Sequence, residues 1–270
     1  MDEKRLKLAL IGKDVSQSDS ERIHRFILSE LGVSCEYENV SVSAAGFDFA
    51  VRRLLGDFDG FNVTIPYKRD ILEYLDGFLG DALEYGAVNT VVSATRQGYN
   101  TDGVGFMQML AFEGVSLAGK KALVLGGGGA GRSTAVSLKK AGADVLMYQR
   151  NREKLLETCQ ELQIRPCDNV GAERYAAIVN ATGVGMHDTV GVSPVSANVF
   201  DGAEVAVDLI YNPRETEFLR LAKSRGCRTV SGGAMLFFQA YYSDCYYLNR
   251  QADGAEADRL YEKYRREYLI

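Results

Sequence analysis

The residues best able to do chemistry lie in one short stretch, residues 61–68, which reads Phe-Asn-Val-Thr-Ile-Pro-Tyr-Lys. Asn62, Thr64 and Lys68 place an amide, a hydroxyl and an ammonium group within seven residues. Such groups could hold a polyol or a hydroxy-acid, and the ammonium could also move a proton. A strand end followed by a solvated lysine is the structural alternative, and from these residues alone it stays open.

A strand and a turn must position these groups. Phe61 and Val63 alternate with the polar residues, which indicates a strand with one buried face. Pro66 suits the first turn of a helix, because it has no N–H group to lose there. We therefore expect Lys68 to lie at a corner between a strand and a helix.

A second candidate site follows the apolar run Ala-Leu-Val-Leu at residues 122–125, which is typical of a central parallel strand covered on both faces. Gly126, Gly128 and Gly131 come directly after it and fit the spacing G-x-G-x-x-G. Between a strand and a helix, this spacing predicts a dinucleotide site, in which the pyrophosphate rests on the helix N-terminus. A glycine-rich turn without a ligand is the structural alternative.

The end of the next strand distinguishes NAD from NADP. NAD sites carry an acidic residue there for the ribose 2′-hydroxyl. Here Arg150, Arg152 and Lys154 occupy that region, and Asp144 precedes the strand. Basic side chains attract a 2′-phosphate, and Arg150 would do so through its planar fork. The sequence thus predicts NADP, with an ordinary solvated basic turn as the alternative.

Strands alternate with helices along the whole chain, which predicts βαβ units and a mainly parallel sheet. Short helices are expected around residues 71–75 and 79–85, and a turn at 96–98. Two further helices are expected near the C-terminus, over residues 234–249 and 255–269.

The composition is typical of a soluble globular protein and excludes several functions. A net charge of −5 argues against a general nucleic-acid or membrane-surface binder, and no apolar run approaches the ~20 residues of a membrane span. Five scattered cysteines without C-x-x-C spacing suggest reduced thiols in a cytoplasmic protein. With only His24 and His187 in the chain, no metal site is expected, and acid–base chemistry is left to Lys, Asp or Tyr.

Several segments together resemble the shikimate dehydrogenase family, and they occur in the family's order over nearly the whole chain. Besides residues 62–68 and the glycine loop, they are Ala-Val-Asn-Thr at 87–90, Asn-Thr-Asp-Gly at 100–103, Gln-Arg-Asn at 149–151, Asn-Ala-Thr-Gly-Val-Gly-Met at 180–186, Asp-Leu-Ile-Tyr-Asn-Pro at 208–213 and Gly-Ala-Met-Leu-Phe-Phe-Gln-Ala at 233–240. The family usually has Asn-Arg-Thr where this chain has Gln-Arg-Asn, and Ser in place of Gly183. The resemblance implies reversible reduction of 3-dehydroshikimate to shikimate by NADPH, within chorismate and aromatic amino-acid biosynthesis.

The resemblance also implies roles for individual residues. Lys68 would be the catalytic proton donor, or at least an electrostatic stabiliser of the developing alkoxide, and Asp102 would be its catalytic partner. The implied substrate-binding residues are Ser18, Ser20, Asn62, Thr64, Asn89, Thr101, Tyr211 and Gln239. The implied cofactor-binding residues are Gly126, Gly128, Gly129, Ala130, Gly131, Gln149, Arg150, Asn151, Arg152, Thr182, Gly183, Met186, Leu209, Gly232 and Met235. For Asn89 and Gln239 taken alone, a structural hydrogen-bonding role is the alternative.

The expected architecture is α/β, with two domains separated by a cleft. An N-terminal α/β substrate domain would comprise residues 1–102 plus 238–270, and a Rossmann-type doubly wound NADP-binding domain residues 103–237. The expected partners are NADP and a small-molecule substrate, without nucleic acid or membrane, for a cytoplasmic monomer or homodimer.

The first motif is the poorest match to the family. The family has its serine pair in a segment rich in Pro and His, whereas this chain has Asp14, Gln17 and Glu21 in place of Pro, His and Pro. Ser18 and Ser20 survive, and by resemblance they would bind the substrate carboxylate. A capping box formed by Ser18 and Glu21 is the structural alternative.

The acidic residues of this segment keep other functions open. Asp19 and Glu21 near a carboxylate could weaken shikimate binding or mark a shifted substrate. The alternatives are therefore a dehydrogenase of quinate or a related polyol-acid, and a non-catalytic NADP-binding sensor on the same fold. The presence of both Lys68 and Asp102 argues against the sensor. A folate-type dehydrogenase of similar two-domain shape fits the substrate motifs poorly.

Overall fold

The computed structural model describes residues 5–268 and divides into two compact units. The first unit runs to Gly105 and resumes at Leu236, and the second comprises Phe106–Met235. The predicted domains place these divisions after Asp102 and before Phe238. They also include residues 1–4 and 269–270, which lie outside the described residues.

The first unit contains a six-stranded sheet with the strand order β2-β1-β3-β5-β6-β4. The strands are β1 (Arg5–Gly12), β2 (Ser34–Ser41), β3 (Gly60–Val63), β4 (Gly77–Phe78), β5 (Thr90–Val92) and β6 (Gln97–Tyr99). β1 runs parallel to β2 and β3, but β5 runs antiparallel to both β3 and β6. Because β4 pairs parallel with β6, β5 is the antiparallel exception among the described strands of this sheet, and the expectation of a mainly parallel sheet is confirmed. The connection from β5 to β6 is too short for a parallel crossover, so it closes a hairpin, in which the expected turn at 96–98 becomes strand after Arg96.

The α-helices of the first unit are α1 (Ser20–Glu30), α2 (Phe47–Asp57) and α3 (Asp81–Tyr85), and α4 (Asp102–Phe112) begins in this unit and continues into the second. No helix begins at Pro66, because residues 65–69 form turns, but the short helix expected around residues 71–75 is present as a 3₁₀ helix, Asp70–Tyr74. Tertiary packing decides this conformation. The Tyr67 ring stacks on Phe47 at 4.2 Å between ring centroids, and its hydroxyl donates to the carbonyl of Val42. The helix expected over 79–85 is shorter, and β4 precedes it.

The second unit contains a fully parallel sheet in the order β12-β11-β10-β7-β8-β9. Its strands are β7 (Lys121–Leu125), β8 (Asp144–Tyr148), β9 (Arg165–Pro166), β10 (Ala177–Asn180), β11 (Val205–Asp208) and β12 (Arg228–Ser231), and its helices are α5 (Gly129–Lys140), α6 (Arg152–Leu162) and α7 (Glu217–Ser224). Read from its β9 edge, the sheet has the strand order 3-2-1-4-5-6 of the Rossmann fold when β7 is counted as the first strand. The prediction of a doubly wound sheet is confirmed.

Two long helices follow, α8 (Gly233–Tyr247) and α9 (Gly254–Tyr268). Aromatic contacts join them to α1, because the Tyr264 ring lies 5.2 Å from Phe26 and 5.1 Å from Phe237. β1 has apolar side chains on both faces of its sheet: Ala9 and Ile11 join one core cluster, and Leu6, Leu8 and Leu10 join another. No helix within residues 5–268 is both long and apolar enough to cross a membrane.

Candidate active site

Lys68 and Asp102 form an ion pair in the first unit. The Lys68 Nζ atom lies 2.5 Å from Asp102 Oδ2, and the two side chains are only 16% and 3% exposed. Asp102 is the first residue of α4, where the helix dipole favours a negative charge. The Lys68 carbonyl accepts a hydrogen bond from Val88 N, which anchors the turn that carries the lysine. A largely buried ammonium is thus held in one place by a buried carboxylate.

Asn89 orients the other oxygen of this carboxylate. Its Nδ2 atom donates to Asp102 Oδ1 at 2.9 Å and to Thr101 Oγ1 at 3.1 Å. Its Oδ1 atom accepts from the backbone N–H of Thr101 at 2.9 Å. Because a backbone N–H can only donate, it fixes which end of the amide is oxygen, and the NH₂ group must face Asp102. The lysine and the amide therefore hold both oxygens of Asp102.

Ser243 links further predicted substrate residues, although it was not itself predicted. Its hydroxyl is fully buried and lies 3.2 Å from Asn62 Nδ2, 3.2 Å from Thr101 Oγ1 and 2.7 Å from Thr90 Oγ1. It also donates to the carbonyl of Gln239 at 2.9 Å. The sequence carried one signal for it: Ser243 follows Gln239 by four residues on a predicted helix, so both lie on one face.

Glycine at position 105 permits close packing beside Gln239. A Cβ atom there would lie 2.7 Å from the backbone nitrogen of Gln239 and 2.9 Å from its Cβ. Both distances are shorter than a van der Waals contact. Because one of the two atoms belongs to the backbone of α8, it cannot move aside as a side chain could, so only glycine fits without displacing α8 from α4. This packing holds Gln239 against the helix that begins with Asp102.

The serine pair lies at the start of α1. The Ser18 hydroxyl lies 2.9 Å from that of Ser20 and accepts a hydrogen bond from the Ser20 backbone N–H at 3.2 Å. The capping-box alternative is wrong: α1 begins at Ser20 with Asp19 as its N-cap residue, and no side chain among the described residues caps it. Ser18 precedes the N-cap residue by one position, and its hydroxyl bonds to Ser20 instead of capping α1.

Both acidic residues of this segment are paired with arginines. Asp19 Oδ1 lies 2.9 Å from Arg22, and Glu21 Oε1 lies 2.9 Å from Arg25, which also donates to the carbonyl of Cys35. These pairs are largely exposed. Each carboxylate therefore has a nearby positive charge, which weakens its repulsion of an anionic substrate.

Thr64 and Tyr211, which are also predicted to bind substrate, lie outside the hydrogen-bonded group around Asn89 and Ser243. Thr64 follows β3, and its backbone N–H donates to the carbonyl of Ile11. Its Cγ2 atom is so close to Gly12 that a Cβ there would lie 2.5 Å away. Tyr211 is half-buried and follows β11 in the second unit.

The glycine loop of the second unit combines tightly packed glycines with one open position. Gly126 has φ +102°, which L side chains rarely adopt. A Cβ on Gly131 would lie 2.0 Å from the carbonyl oxygen of Gly126, so this glycine lets α5 approach the strand. A Cβ on Gly128, by contrast, would meet no atom of the described residues within 4 Å. Gly128 precedes α5, whose first two residues are the predicted Gly129 and Ala130.

The basic residues after β8 differ in their contacts. Arg150 is exposed, and no described residue pairs with its guanidinium. Arg152 is engaged by Asp168, whose Oδ1 atom accepts from its Nε at 3.1 Å. Asn151 caps α6 by accepting from Lys154 N, and Gln149 lies 3.4 Å from the hydroxyl of Thr158. Of the two arginines predicted to bind the cofactor, Arg150 is thus the one that residues 5–268 leave open to a ligand.

The comparisons with known proteins bear on this geometry. Residues 10–91 match the family model described as the shikimate dehydrogenase substrate binding domain. The curated NADP(+) shikimate dehydrogenase of Caldanaerobacter subterraneus subsp. tengcongensis is 37% identical, over 96% of this chain and 96% of that protein. This chain belongs to the shikimate dehydrogenase family.

Two further relatives agree with this assignment. A curated NADP(+) shikimate dehydrogenase of Thermus thermophilus is 37% identical, over 87% of this chain and 89% of that protein. The crystal structure of a shikimate 5-dehydrogenase from Thermus thermophilus, in complex with NADP(H) and shikimate, has a TM-score of 0.87 and 33% identity. The match covers 96% of this chain and 99% of that chain.

In this family member, Asn180 and Asp208 connect the loops that follow β10 and β11. Asn180 Nδ2 donates to Asp208 Oδ1 at 3.0 Å and to the carbonyl of Val184 at 3.1 Å. Asp208 also accepts from Ile210 N at 3.0 Å and from the Thr216 hydroxyl at 2.6 Å. Burial raises the pKa of Asp208 to about 6, although these hydrogen bonds oppose the rise. Neither Asn180 nor Asp208 was predicted as a site residue, although both lie in family segments.

The remaining predicted cofactor residues lie on these loops or next to them. The Thr182 hydroxyl donates to Asn180 Oδ1 at 2.7 Å, so it also holds its own loop. A Cβ on Gly183 would lie 3.7 Å from the Met186 Cε atom. A Cβ on Gly232 would lie 2.2 Å from the carbonyl oxygen of Leu209, which makes this glycine necessary for packing. Met235 is buried at the start of α8.

Proposed function

We propose that this protein reduces 3-dehydroshikimate to shikimate with NADPH, in a reversible reaction. The observation that carries the proposal is the ion pair between Lys68 and Asp102, held by Asn89 in the unit that contains the family's substrate-binding match. Support also comes from the Thermus thermophilus structure, which is a complex with NADP(H) and shikimate. The protein is an NADP-dependent oxidoreductase.

The proposed mechanism gives Lys68 the proton. Bound NADPH supplies the hydride that reduces the substrate ketone. The developing alkoxide needs a positive charge or a proton, and Lys68 supplies one or both from its ammonium group. Asp102 orients that ammonium, and Asn89 in turn orients Asp102. Proton transfer therefore depends on a chain of three side chains in fixed geometry.

Substrate recognition is assigned to neutral hydrogen-bonding groups and to the serine pair. Asn62, Thr64, Asn89, Thr101 and Gln239 would bind ring hydroxyls, and Ser18 and Ser20 would bind the carboxylate together with Tyr211. Support comes from the shared hydrogen bonds of Asn62, Thr101 and the Gln239 carbonyl around Ser243. Because Asp19 and Glu21 are paired with arginines, we favour shikimate over a shifted substrate.

Cofactor binding is assigned to the glycine loop and to Arg150. The open space above Gly128 suits a pyrophosphate at the start of α5, and the exposed guanidinium of Arg150 suits the 2′-phosphate. We assign residues 1–102 plus 238–270 to substrate binding and 103–237 to NADP binding. We further propose that the protein works in the cytoplasm as a monomer or homodimer, within chorismate biosynthesis.

A substrate panel tests the proposed function. Purified protein is assayed for NADP⁺ reduction with shikimate, quinate and simpler hydroxy-acids, each ranked by kcat/KM. We expect shikimate to rank first. Quinate in first place would favour the quinate alternative, and binding of NADP without turnover of any substrate would favour the sensor.

A further inference from the structure

A buried pair of titratable side chains lies beside the substrate residues and has no part in the proposed mechanism. His24 of α1 is 2% exposed and Asp244 of α8 is 0% exposed, and His24 Nδ1 lies 2.6 Å from Asp244 Oδ1. Two polar side chains this deep are costly to bury unless they are paired, and the contact with His24 satisfies one of the two Asp244 oxygens, whereas Oδ2 has no hydrogen-bond partner among the described residues. The pair therefore fixes the position of both side chains.

The imidazole of His24 supports the ring of Tyr37 on β2. The two rings are stacked, with centroids 4.9 Å apart and planes 19° apart. Tyr37 is itself buried, and burial raises the pKa of its phenol well above the usual value. Tyr37 thus presents a protonated hydroxyl from a ring that packing holds in one orientation.

This hydroxyl contacts the predicted substrate-binding residue Asn62. It donates to Asn62 Oδ1 at 3.1 Å. The opposite end of the Asn62 amide lies 3.2 Å from the carbonyl of Asn89, which can only accept. The Asn62 nitrogen must therefore face Asn89, and its oxygen must face Tyr37.

We propose that Tyr37 is a positioning residue for substrate binding, and that the buried His24–Asp244 pair holds it in place. This inference rests on the proposed function. Since Tyr37 occupies one lone pair of Asn62 Oδ1, the amide stays in the orientation that leaves the second lone pair for a substrate hydroxyl.

Tyr37→Phe tests the inference, because it removes the hydroxyl and keeps the stacked ring. Tyr241→Phe is the control: Tyr241 is likewise buried in the first unit, and its hydroxyl donates to Glu256 Oε2 at 2.6 Å and accepts from Asp253 N at 3.0 Å. Tyr37→Phe thus loses one hydrogen bond and Tyr241→Phe loses two, so the control removes at least as much hydrogen bonding. We expect Tyr37→Phe to raise the KM for shikimate about tenfold, the effect of one well-placed hydrogen bond. Its kcat and its KM for NADP⁺ should change less than about twofold.

Two further measurements separate positioning from stability. The control should lower the melting temperature at least as much as Tyr37→Phe does, but leave the KM for shikimate unchanged. In an Asn62→Ala background, Tyr37→Phe should raise the KM for shikimate far less, because the Asn62 amide that the Tyr37 hydroxyl orients is absent.

Three outcomes would overturn the inference. The first is an unchanged KM in Tyr37→Phe, and the second is an equal rise in KM in Tyr241→Phe. The third is a Tyr37→Phe protein that does not fold while Tyr241→Phe does, since the hydroxyl would then serve stability. Wild-type turnover of shikimate is measured first, so that its absence counts against the proposed function and not against Tyr37.

Discussion

Lys68 Nζ and Asp102 Oδ2 lie 2.5 Å apart although 34 positions separate the two residues in sequence. One follows a short strand through a series of turns, and the other begins a helix. The sheet and the Asn89 side chain bring them together, since Asn89 binds the second oxygen of the carboxylate. The proposed chemistry depends on this pair more than on any single motif.

Lys68→Ala should abolish most turnover while cofactor binding persists. A positioned proton donor contributes about 10²–10⁴-fold to the rate, so kcat should fall by about that factor. Arg69→Ala, which changes the exposed neighbouring cation, is the control and should retain near-normal kcat. The Kd for NADPH, measured by fluorescence titration, should be unchanged in both. Near-normal kcat in Lys68→Ala would exclude Lys68 as the catalytic group.

Two glycine substitutions should separate folding from cofactor binding. Gly131→Ala places a Cβ against the Gly126 carbonyl and should cost about 1–3 kcal/mol of unfolding free energy, as overpacking does. Gly128→Ala has room for its Cβ and a φ of −71°, so its melting temperature should stay near that of the wild type. It should nevertheless weaken NADPH binding at least about tenfold, or ~1.4 kcal/mol, because the pyrophosphate approaches there. Tight NADPH binding by Gly128→Ala would contradict this assignment.

The two halves of the chain were predictable to different degrees. The Rossmann order of the second unit follows from local signals, because an apolar strand, a glycine turn and a helix lie next to one another in sequence. The hairpin of β5 and β6 lacks a comparable local signal in the sequence. Its two strands run antiparallel because the connection between them is short. The turns after Pro66 were missed because Tyr67 packs on Phe47, a contact between distant residues.

The candidate site shows the same limit. Family motifs point to Lys68 and Asp102, but not to Tyr37 or Ser243, which act through hydrogen bonds to other residues. Their partners come from other strands and helices, and side-chain periodicity does not reveal such contacts. Only the helical spacing of Ser243 from Gln239 offered a clue.

Arg150→Gln should reduce the preference for NADP over NAD. A charge-assisted hydrogen bond to a phosphate contributes about 1.5–3 kcal/mol, so the ratio of kcat/KM values for the two cofactors should fall about 10–100-fold. Arg152→Gln is the matched control, because Asp168 already engages that guanidinium, and its ratio should change far less. Equal changes of this ratio in Arg150→Gln and Arg152→Gln, measured with shikimate as substrate, would refute the assignment of the 2′-phosphate to Arg150 alone.

Asp208 should give the protein a measurable pH dependence of stability. Burial raises its pKa from 3.8 to about 6, so between these values the folded state binds a proton that the unfolded state has lost. Stability from this group is complete below the lower value and is lost as the pH rises through about 6. The loss is about 3 kcal/mol, at ~1.4 kcal/mol per pKa unit.

Asp208→Asn isolates this contribution. The variant loses hydrogen bonds at every pH, so its free energy of unfolding differs from that of the wild type by a constant amount that is uninformative. The informative quantity is the change of unfolding free energy with pH. Denaturant unfolding of both proteins should show the wild type losing stability relative to the variant as the pH rises from about 4 to above 6. Parallel stability curves would show that Asp208 does not titrate in this range.

The most direct measurement is the consumption of NADPH by the purified wild-type protein when 3-dehydroshikimate is added. The proposed function predicts rapid loss of the nicotinamide absorbance, formation of one shikimate for each NADPH, and loss of most of that rate in Lys68→Ala. NADPH that binds but is not oxidised, or oxidation that Lys68→Ala leaves intact, would contradict it.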